Sequence, residues 1–504
     1  MRHCGTKLLA AAILCLLPFT ATGTEIELLS RSVFGNPGNG PSNEPAISAD
    51  GRFVAFTSDA TNLVDGDPGS WYWQTDPDVF LVDREIGSIE NVSRSLNQAG
   101  VWFLKTVCQK PVLDGPGATA AFECYSGYHP AYRTNFDIYL YDSATRQMLL
   151  VTQGLDGRKS NGSSTDPALS RDGGLLAFAS TASNLLSADA DRSADIYLYN
   201  LHSNLLDLAS LSMDGSKGNA ASTEPALSED GRFLAYASAA SNLVPEDGNG
   251  VADIFVLDRQ TGTLQRHATP DNAPCSEPTL SGDGSKLAFS ACRDNGQCSV
   301  YLVSGGAVQR LVSGKAPALS ADGRFLAYVA PAITGNAVIR LDLAKGRSAA
   351  FATATSAPAV SANGQDLVFA STADGLTNDD GNGVSDVFVV TDETDTTPPT
   401  VSLTPGTGFL WPPNKKYVPV RIDGAATDDR ELAEVTITLT DEYGTVADQV
   451  IPGFGSVVWL ESWREGNDFD GRAYTVTAVA TDAAGNRATT TATILVPHDM
   501  RDKK

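Results

Sequence analysis

Residues 224 to 258 open with Glu224-Pro225-Ala226-Leu227-Ser228-Glu229-Asp230-Gly231-Arg232-Phe233-Leu234-Ala235-Tyr236-Ala237-Ser238 and close with Asp253-Ile254-Phe255-Val256-Leu257-Asp258. A short strand that meets an Asp-Gly turn and continues into small, branched and aromatic residues predicts a hairpin. A further apolar run follows, after a loop rich in Asn, Asp and Gly. Its residues are apolar on both faces, as in Ile254-Phe255-Val256-Leu257, which a sheet buried between two neighbours requires.

The unit recurs. The aromatic anchor of its second strand returns as Phe56, Phe122, Phe178, Tyr236, Phe289, Tyr328 and Phe369, at spacings of 66, 56, 58, 53, 39 and 41 residues. Each is preceded by a turn, from Asp50-Gly51 in the first copy to Asn363-Gly364 in the last. Several short strands per copy at such periods, with almost no helical periodicity, predict a seven-bladed β-propeller over residues 24–395. A fourth strand, such as 89–95 or 205–210, ends each complete copy, but acidic and proline-rich residues follow the seventh copy directly. Residues 26–32 match 89–95 closely, so the N-terminal strand is expected to complete blade seven and remove two exposed sheet edges.

The motifs Glu-Pro, Ser-x-Asp-Gly-x-x-Leu-Ala-Phe and Asp-Ile-Phe-x-x-Asp resemble the propeller repeats of the TolB type, a WD40-like family of bacterial exported proteins. That resemblance covers about residues 25 to 395 and implies the fold and an envelope location. It does not by itself imply an activity, because propellers carry binding modules and enzymes alike.

Residues 1–23 have a basic start, an apolar segment from Leu8 to Phe19 and a small-residue site at Ala21-Thr22-Gly23, the pattern of an export signal. No later stretch has the ~18 uninterrupted apolar residues of a membrane helix. The formal charge is -24 and the sequence pI about 4.5. Such a chain excludes a nucleic-acid partner, which needs a basic surface, and favours cations, basic peptides or neutral glycans. Residues 396–504, with strand-like runs at 401–403, 417–422, 434–440, 474–481 and 489–496, predict a β-sandwich. Asp482-Ala483-Ala484-Gly485-Asn486 and Leu410-Trp411-Pro412-Pro413-Asn414-Lys415 resemble bacterial immunoglobulin-like surface domains, which implies a spacer or adhesive module. Trp459 and Trp463 are expected in its core rather than on a ligand platform.

Two sets of acids carry the candidate chemistry. In the loop before the third strand, Asp247, Asn249 and Asp253 recur as Asp380, Asn382 and Asp386, with weaker versions at Asp65, Asp67, Asp76 and Asp78 and at Asp189, Asp191 and Asp195. Oxygens at alternate positions around a glycine turn suit Ca²⁺, which takes 6 to 8 oxygen ligands; the same residues also simply shape tight turns. The second set is Glu44, Asp166, Glu224 and Glu277, each before a proline at the start of the innermost strand, with Ala316 and Ala357 in blades six and seven. They form either an acidic funnel at the channel mouth, drawing a cation or basic peptide, or a set of backbone acceptors that join neighbouring blades.

No Gly-x-Ser-x-Gly, His-Glu-x-x-His or phosphate-binding loop is present. The reading is therefore an exported, non-catalytic binding protein of the envelope or exterior, recognising a protein or glycan, with a glycosidase or polysaccharide lyase built on channel carboxylates as the alternative. Trp71-Tyr72-Trp73, Trp102 and residues 125–132 supply aromatics for stacking on sugars or on one another. Of the cysteines after the leader, Cys108 and Cys124 face each other across a predicted hairpin and should pair. Cys292 has Cys275 and Cys298 as competing partners.

Overall fold

The computed structural model describes residues 24–65, 77–97, 104–128, 135–333, 335–392, 397–428, 432–446, 449–482 and 486–499. They separate into two compact units, Thr24–Asp392 and a second that begins at Glu393. Apart from one four-residue helical turn, Arg94–Asn97, their regular structure is β-strand.

The first unit is seven four-stranded antiparallel sheets, six of them taken in simple chain order. In blade four the strands are Ser222–Leu227, Phe233–Ser238, Asp253–Asp258 and Thr263–His267. The seven aromatic anchors are all buried on the second strands. In six blades the anchor stacks on an aromatic of the third strand, as Phe178 does on Tyr197 at 5.6 Å and Tyr236 on Phe255 at 5.9 Å. Each sheet thereby offers an apolar surface to both neighbours, and clusters such as Ala177, Ile196, Leu234, Tyr236 and Phe255 run from one blade into the next.

Blade seven is built from both ends of the unit. Ala359–Val360, Asp366–Ser371 and Asp386–Asp392 are joined by Thr24–Leu28, whose register pairs Thr24 with Asp392 and Leu28 with Phe388. The N-terminal strand thus closes the ring, two residues earlier in sequence than its likeness to 89–95 indicates. The register also continues beyond the strand, where Leu29 donates its N–H to the Val387 carbonyl at 2.8 Å.

A second closure runs through the turns after the first strands. Ala49 N–H donates to Gly115 (2.8 Å), Gly115 to Arg171 (2.7 Å), Asp172 to Glu229 (3.2 Å), Glu229 to Gly282 (2.9 Å), Gly282 to Ala321 (2.8 Å), Asp322 to Ala362 (3.3 Å) and Ala362 back to Ala49 (2.9 Å). One blade-to-blade backbone bond per blade makes a complete circuit, which satisfies groups that a buried turn would otherwise leave unpaired.

Cys108 and Cys124 form a disulfide, as do Cys292 and Cys298. Register decides the second: Cys292 lies directly opposite Cys298, whereas Cys275 faces Ala291. Cys275 is a buried free thiol, and burial pushes its pKa up to about 12.

The second unit packs a sheet of Thr400–Pro405, Tyr417–Thr427 and Ser456–Glu461 against one of Gln449–Ile451, Leu432–Asp441, Arg472–Asp482 and Arg487–Val496. Val420, Ile422, Val458 and Leu460 meet Ile437, Leu439, Val476 and Ile494 between them. The strand Ser456–Glu461 was not among the runs expected from sequence, and it overturns the placing of the tryptophans. Val458 and Leu460 take the inward positions of its period-2 alternation, so Trp459 faces outward beside Pro419 and is 64% exposed. Trp463 is half-buried, with the Arg472 guanidinium 5.8 Å from its ring.

Candidate functional site

Both sets of acids lie at one end of the propeller. In blade four the start of the first strand pairs with the end of the second, Ser222 with Ser238, and Ser238 pairs in turn with Asp253 at the start of the third. The Glu-Pro pair, the acidic loop and the segment entering each blade therefore share that end, opposite the backbone circuit of the turns.

The residue before proline is not in a regular strand. In blades one to six the register of first and second strands slips by a bulge across Glu44-Pro45, Lys110-Pro111, Asp166-Pro167, Glu224-Pro225, Glu277-Pro278 and Ala316-Pro317. The first residue of each pair has φ between 51° and 55°, in the left-handed region that non-glycine residues enter only when the surroundings hold them there. Proline brings no N–H to be satisfied, and the bulge frees the preceding N–H to leave its own sheet.

In blades one, two, three, five and six that N–H crosses to the preceding blade of the ring. Lys110 N–H donates to Glu44 Oε2 (2.9 Å), Glu277 N–H to Glu224 Oε2 (2.6 Å) and Ala316 N–H to Glu277 Oε2 (2.7 Å). Blade two carries Lys110 at the bulge in place of an acid, and there Glu123, from the second strand, receives the Asp166 N–H at 2.9 Å. Blade seven carries Ala357, and Ser356 Oγ receives the Glu44 N–H at 3.1 Å. Of the two sequence-level alternatives, the joining of blades is therefore realised in these bonds. It engages Oε2 of Glu224 and Glu277, and among the described residues their Oε1 atoms have no hydrogen-bond partner.

Lys110, Asp166, Glu224 and Glu277, with their prolines and Val112, surround a cavity of about 220 Å³. Glu44 takes the same bulge position in blade one but is not among its lining residues. Lys110 Nζ is 2.6 Å from Asp166 Oδ1 and 3.8 Å from Glu123 Oε1; burial opposes its charge, but Asp166, Glu123 and Glu44 outweigh it and hold the ammonium above its usual range. Burial pushes Glu224 above the usual carboxylate range, with the charges of Asp166 and Glu277 adding to the rise. Burial does the same to Glu123, against the pull of Lys110. One ammonium thus stands among several half-buried carboxyls. Lys110 and Glu123 were missed from sequence because only acids before proline were sought. The signal was available, since Lys110-Pro111 sits in the same repeat position.

The second set divides by blade. Asp189, Asp191 and Asp195 bring carboxylate oxygens within 4.8 Å of one another, an acidic cluster of the kind that holds a metal. Lys217 sits among them, bonded to Asp189 and 2.7 Å from both Asp191 and Asp195. In blade four Arg266 does the same, 3.0 Å from Asp247 and 2.7 Å from Asp253. Asn249 turns its amide Nδ2 to Asp253 (2.9 Å), and its Oδ1 accepts the Val251 N–H (3.2 Å). The Asp247, Asn249 and Asp253 set, expected as a calcium cage, is therefore built around the protein's own guanidinium, with the asparagine oxygen turned to the backbone. Lys217 and Arg266 lie in the following loop and strand, too far along the chain for a local motif to include them. In blade seven, Asn382 likewise donates to Asp386 (2.7 Å), and Asp380 is buried close by. Asp78 accepts from Ser93 (2.5 Å) and Asn91 (3.1 Å). Asp67, Asp76, Trp71, Tyr72, Trp73 and Trp102 lie outside the described residues, while Tyr125 packs edge-on against Phe136 at 5.2 Å.

No protein-family model and no curated protein matches this chain. Among solved structures it is similar to TolB from Acinetobacter baumannii, at 20% identity over 63% of this chain and 76% of that one, with a TM-score of 0.38. It is also similar to an oligogalacturonate lyase in complex with manganese, at 11% identity over 74% and 94% of the two chains and a TM-score of 0.47. A third is a putative TolB from Agrobacterium tumefaciens, at 17% identity over 58% and 90%, with a TM-score of 0.36.

Proposed function

We infer that this chain is an exported, non-catalytic binding protein that takes a cationic group, the Lys or Arg side chain of a protein partner, at the channel mouth of its propeller. The observation that carries this is the 220 Å³ cavity in which Asp166, Glu224 and Glu277 are met by a single ammonium, Lys110. Half-buried carboxyls with a free oxygen bind a cation more strongly than exposed ones, because less water screens them. A net charge of -24 draws such a partner in. Export rests on the pattern of residues 1–23, and the second unit, residues 396–504, is read as an immunoglobulin-like spacer.

Calorimetry with an oligo-Lys/Arg peptide tests the reading against an acidic peptide of equal length. The wild-type chain should bind the basic peptide, and the paired Glu224→Gln and Glu277→Gln variant should weaken it at least tenfold. Equal affinity for both peptides, or turnover of a polysaccharide by the wild-type chain that Glu224→Gln abolishes, would contradict it.

A further inference from the structure

The equivalent acidic loops of blades three, four and seven differ in one respect. Asp189 and Asp195 in blade three, and Asp247 and Asp253 in blade four, are bridged by Lys217 and Arg266. Their counterparts in blade seven are Asp380 and Asp386. The two positions that supply the cation elsewhere are both apolar here. Lys217 forms a bridge with Leu211, and in the corresponding bridge of the N-terminal segment Pro37 faces Arg31. Arg266 pairs with Phe255 of the third strand, and the residue paired with the matching Phe388 is Leu28. Among the described residues no Lys or Arg forms an ion pair with Asp374, Asp380 or Asp386.

The charge left over is buried. Asp380 is only 8% exposed and its Oδ1 has no hydrogen-bond partner; the Thr377 Oγ1, also enclosed, has none either. Burial and the Asp374 charge raise the Asp380 pKa, and burial with the charges of Asp380 and Asp374 raises that of Asp386. Asp380 and Asp386 are thus buried carboxyls with no cation paired to them among the described residues, and leaving buried charge uncompensated is costly. The cluster is also tied to the segment that closes the ring: Ser30 Oγ donates to Asp386 Oδ1 (2.5 Å), and Asn382 Nδ2 donates to the Gly38 carbonyl (2.8 Å).

We propose that a hard divalent cation of the calcium class binds between Asp380 and Asp386 of blade seven, with Thr377 at hand, and takes the part that Lys217 and Arg266 play in their blades. Oxygen-only donors of this charge suit such an ion. Bound there, it fastens the N-terminal segment onto blade seven, so ring closure becomes calcium-dependent while blades three and four carry their own cations.

Titration of the full chain with CaCl₂ after EDTA treatment, followed by calorimetry and by hydrogen exchange of residues 24–39, tests this. The wild-type chain should bind one equivalent, melt at higher temperature and gain protection in residues 24–39. Asp380→Asn should lose that equivalent, whereas Asp191→Asn in blade three should keep it. Pro37→Lys, which restores the cation that Lys217 supplies in blade three, should remove the calcium response while keeping the melting temperature of the loaded wild type. Absence of binding by the wild-type chain, or binding that survives Asp380→Asn, overturns the proposal; so does a calcium effect that leaves residues 24–39 unchanged.

Discussion

Lys217 is a residue whose role depends on what surrounds it. Its stem reaches Asp189, Asp191 and Asp195, and those carboxyls overcome the burial that opposes its charge and hold it above its usual range. Asp189 also accepts from the Tyr197 hydroxyl, and Ser210 Oγ donates to Asp195 at 2.9 Å, so the acids cannot relax outward when the ammonium is removed. Lys217→Met should therefore destabilise the propeller by about 3–5 kcal/mol, the usual cost of stranding one side of a buried pair. Part of that loss should be recovered in millimolar calcium, which then meets a preformed set of oxygens. Thermal unfolding with and without calcium measures both; an unchanged melting temperature would contradict the account of this cluster. The acids were legible in the sequence because Asx residues around a glycine turn form a local pattern. Their cations were not, because Lys217 and Arg266 come from the segments that follow the third strand, and only the register brings them back.

The element that matters most is the bulge before proline. Sequence reading located Glu44, Asp166, Glu224 and Glu277 on the innermost strands, but it could not show that they adopt positive φ or that the N–H of Glu44, Asp166 and Glu277 leaves its own sheet. Those features follow from the bulge, a pairing irregularity that a hydrophobic pattern does not record. Glu277 allows its two duties to be separated. Its Oε2 accepts from Ala316 N–H (2.7 Å) and from Ser290 Oγ (2.6 Å), and glutamine can keep those acceptor roles while alanine cannot. Glu277→Ala should cost about 1–3 kcal/mol by leaving the buried Ser290 hydroxyl without its acceptor and the Ala316 N–H with only its bond to Ser290 Oγ at 3.0 Å. Glu277→Gln should stay closer to wild type while still losing part of its affinity for a basic peptide. Urea unfolding of the two variants is the measurement, and equal losses for both would remove the stapling role.

At the scale of the whole molecule, the ring is closed twice, by the strand Thr24–Leu28 on blade seven and by the backbone circuit of the turns. The closing strand was legible because its sequence repeats that of a fourth strand, and the seven aromatic anchors fixed the blade number. The outward face of Trp459 was not, because the strand that carries it has no repeat to compare with. Closure by a strand more than 350 residues away in sequence makes ring integrity a property of the entire unit. A chain beginning at residue 30 removes Leu28 from the blade-seven core and exposes the edge of Asp386–Asp392. It should melt well below the full chain and be cleaved rapidly by a protease; equal melting temperatures would show that the circuit of turns suffices.

The central claim is that half-buried carboxyls at the channel mouth receive a cationic group, and the pH dependence of that binding tests it most directly. The peptide keeps its charge throughout, while Glu224, raised above its ordinary value of 4.5 by burial and by Asp166 and Glu277, takes up a proton as the pH falls. Calorimetry of the oligo-Lys/Arg peptide from neutral pH downward should show affinity declining at pH values above that ordinary one, with Glu224→Gln flattening the profile. Affinity that stays constant over that range, or a profile that Glu224→Gln leaves unchanged, would contradict it.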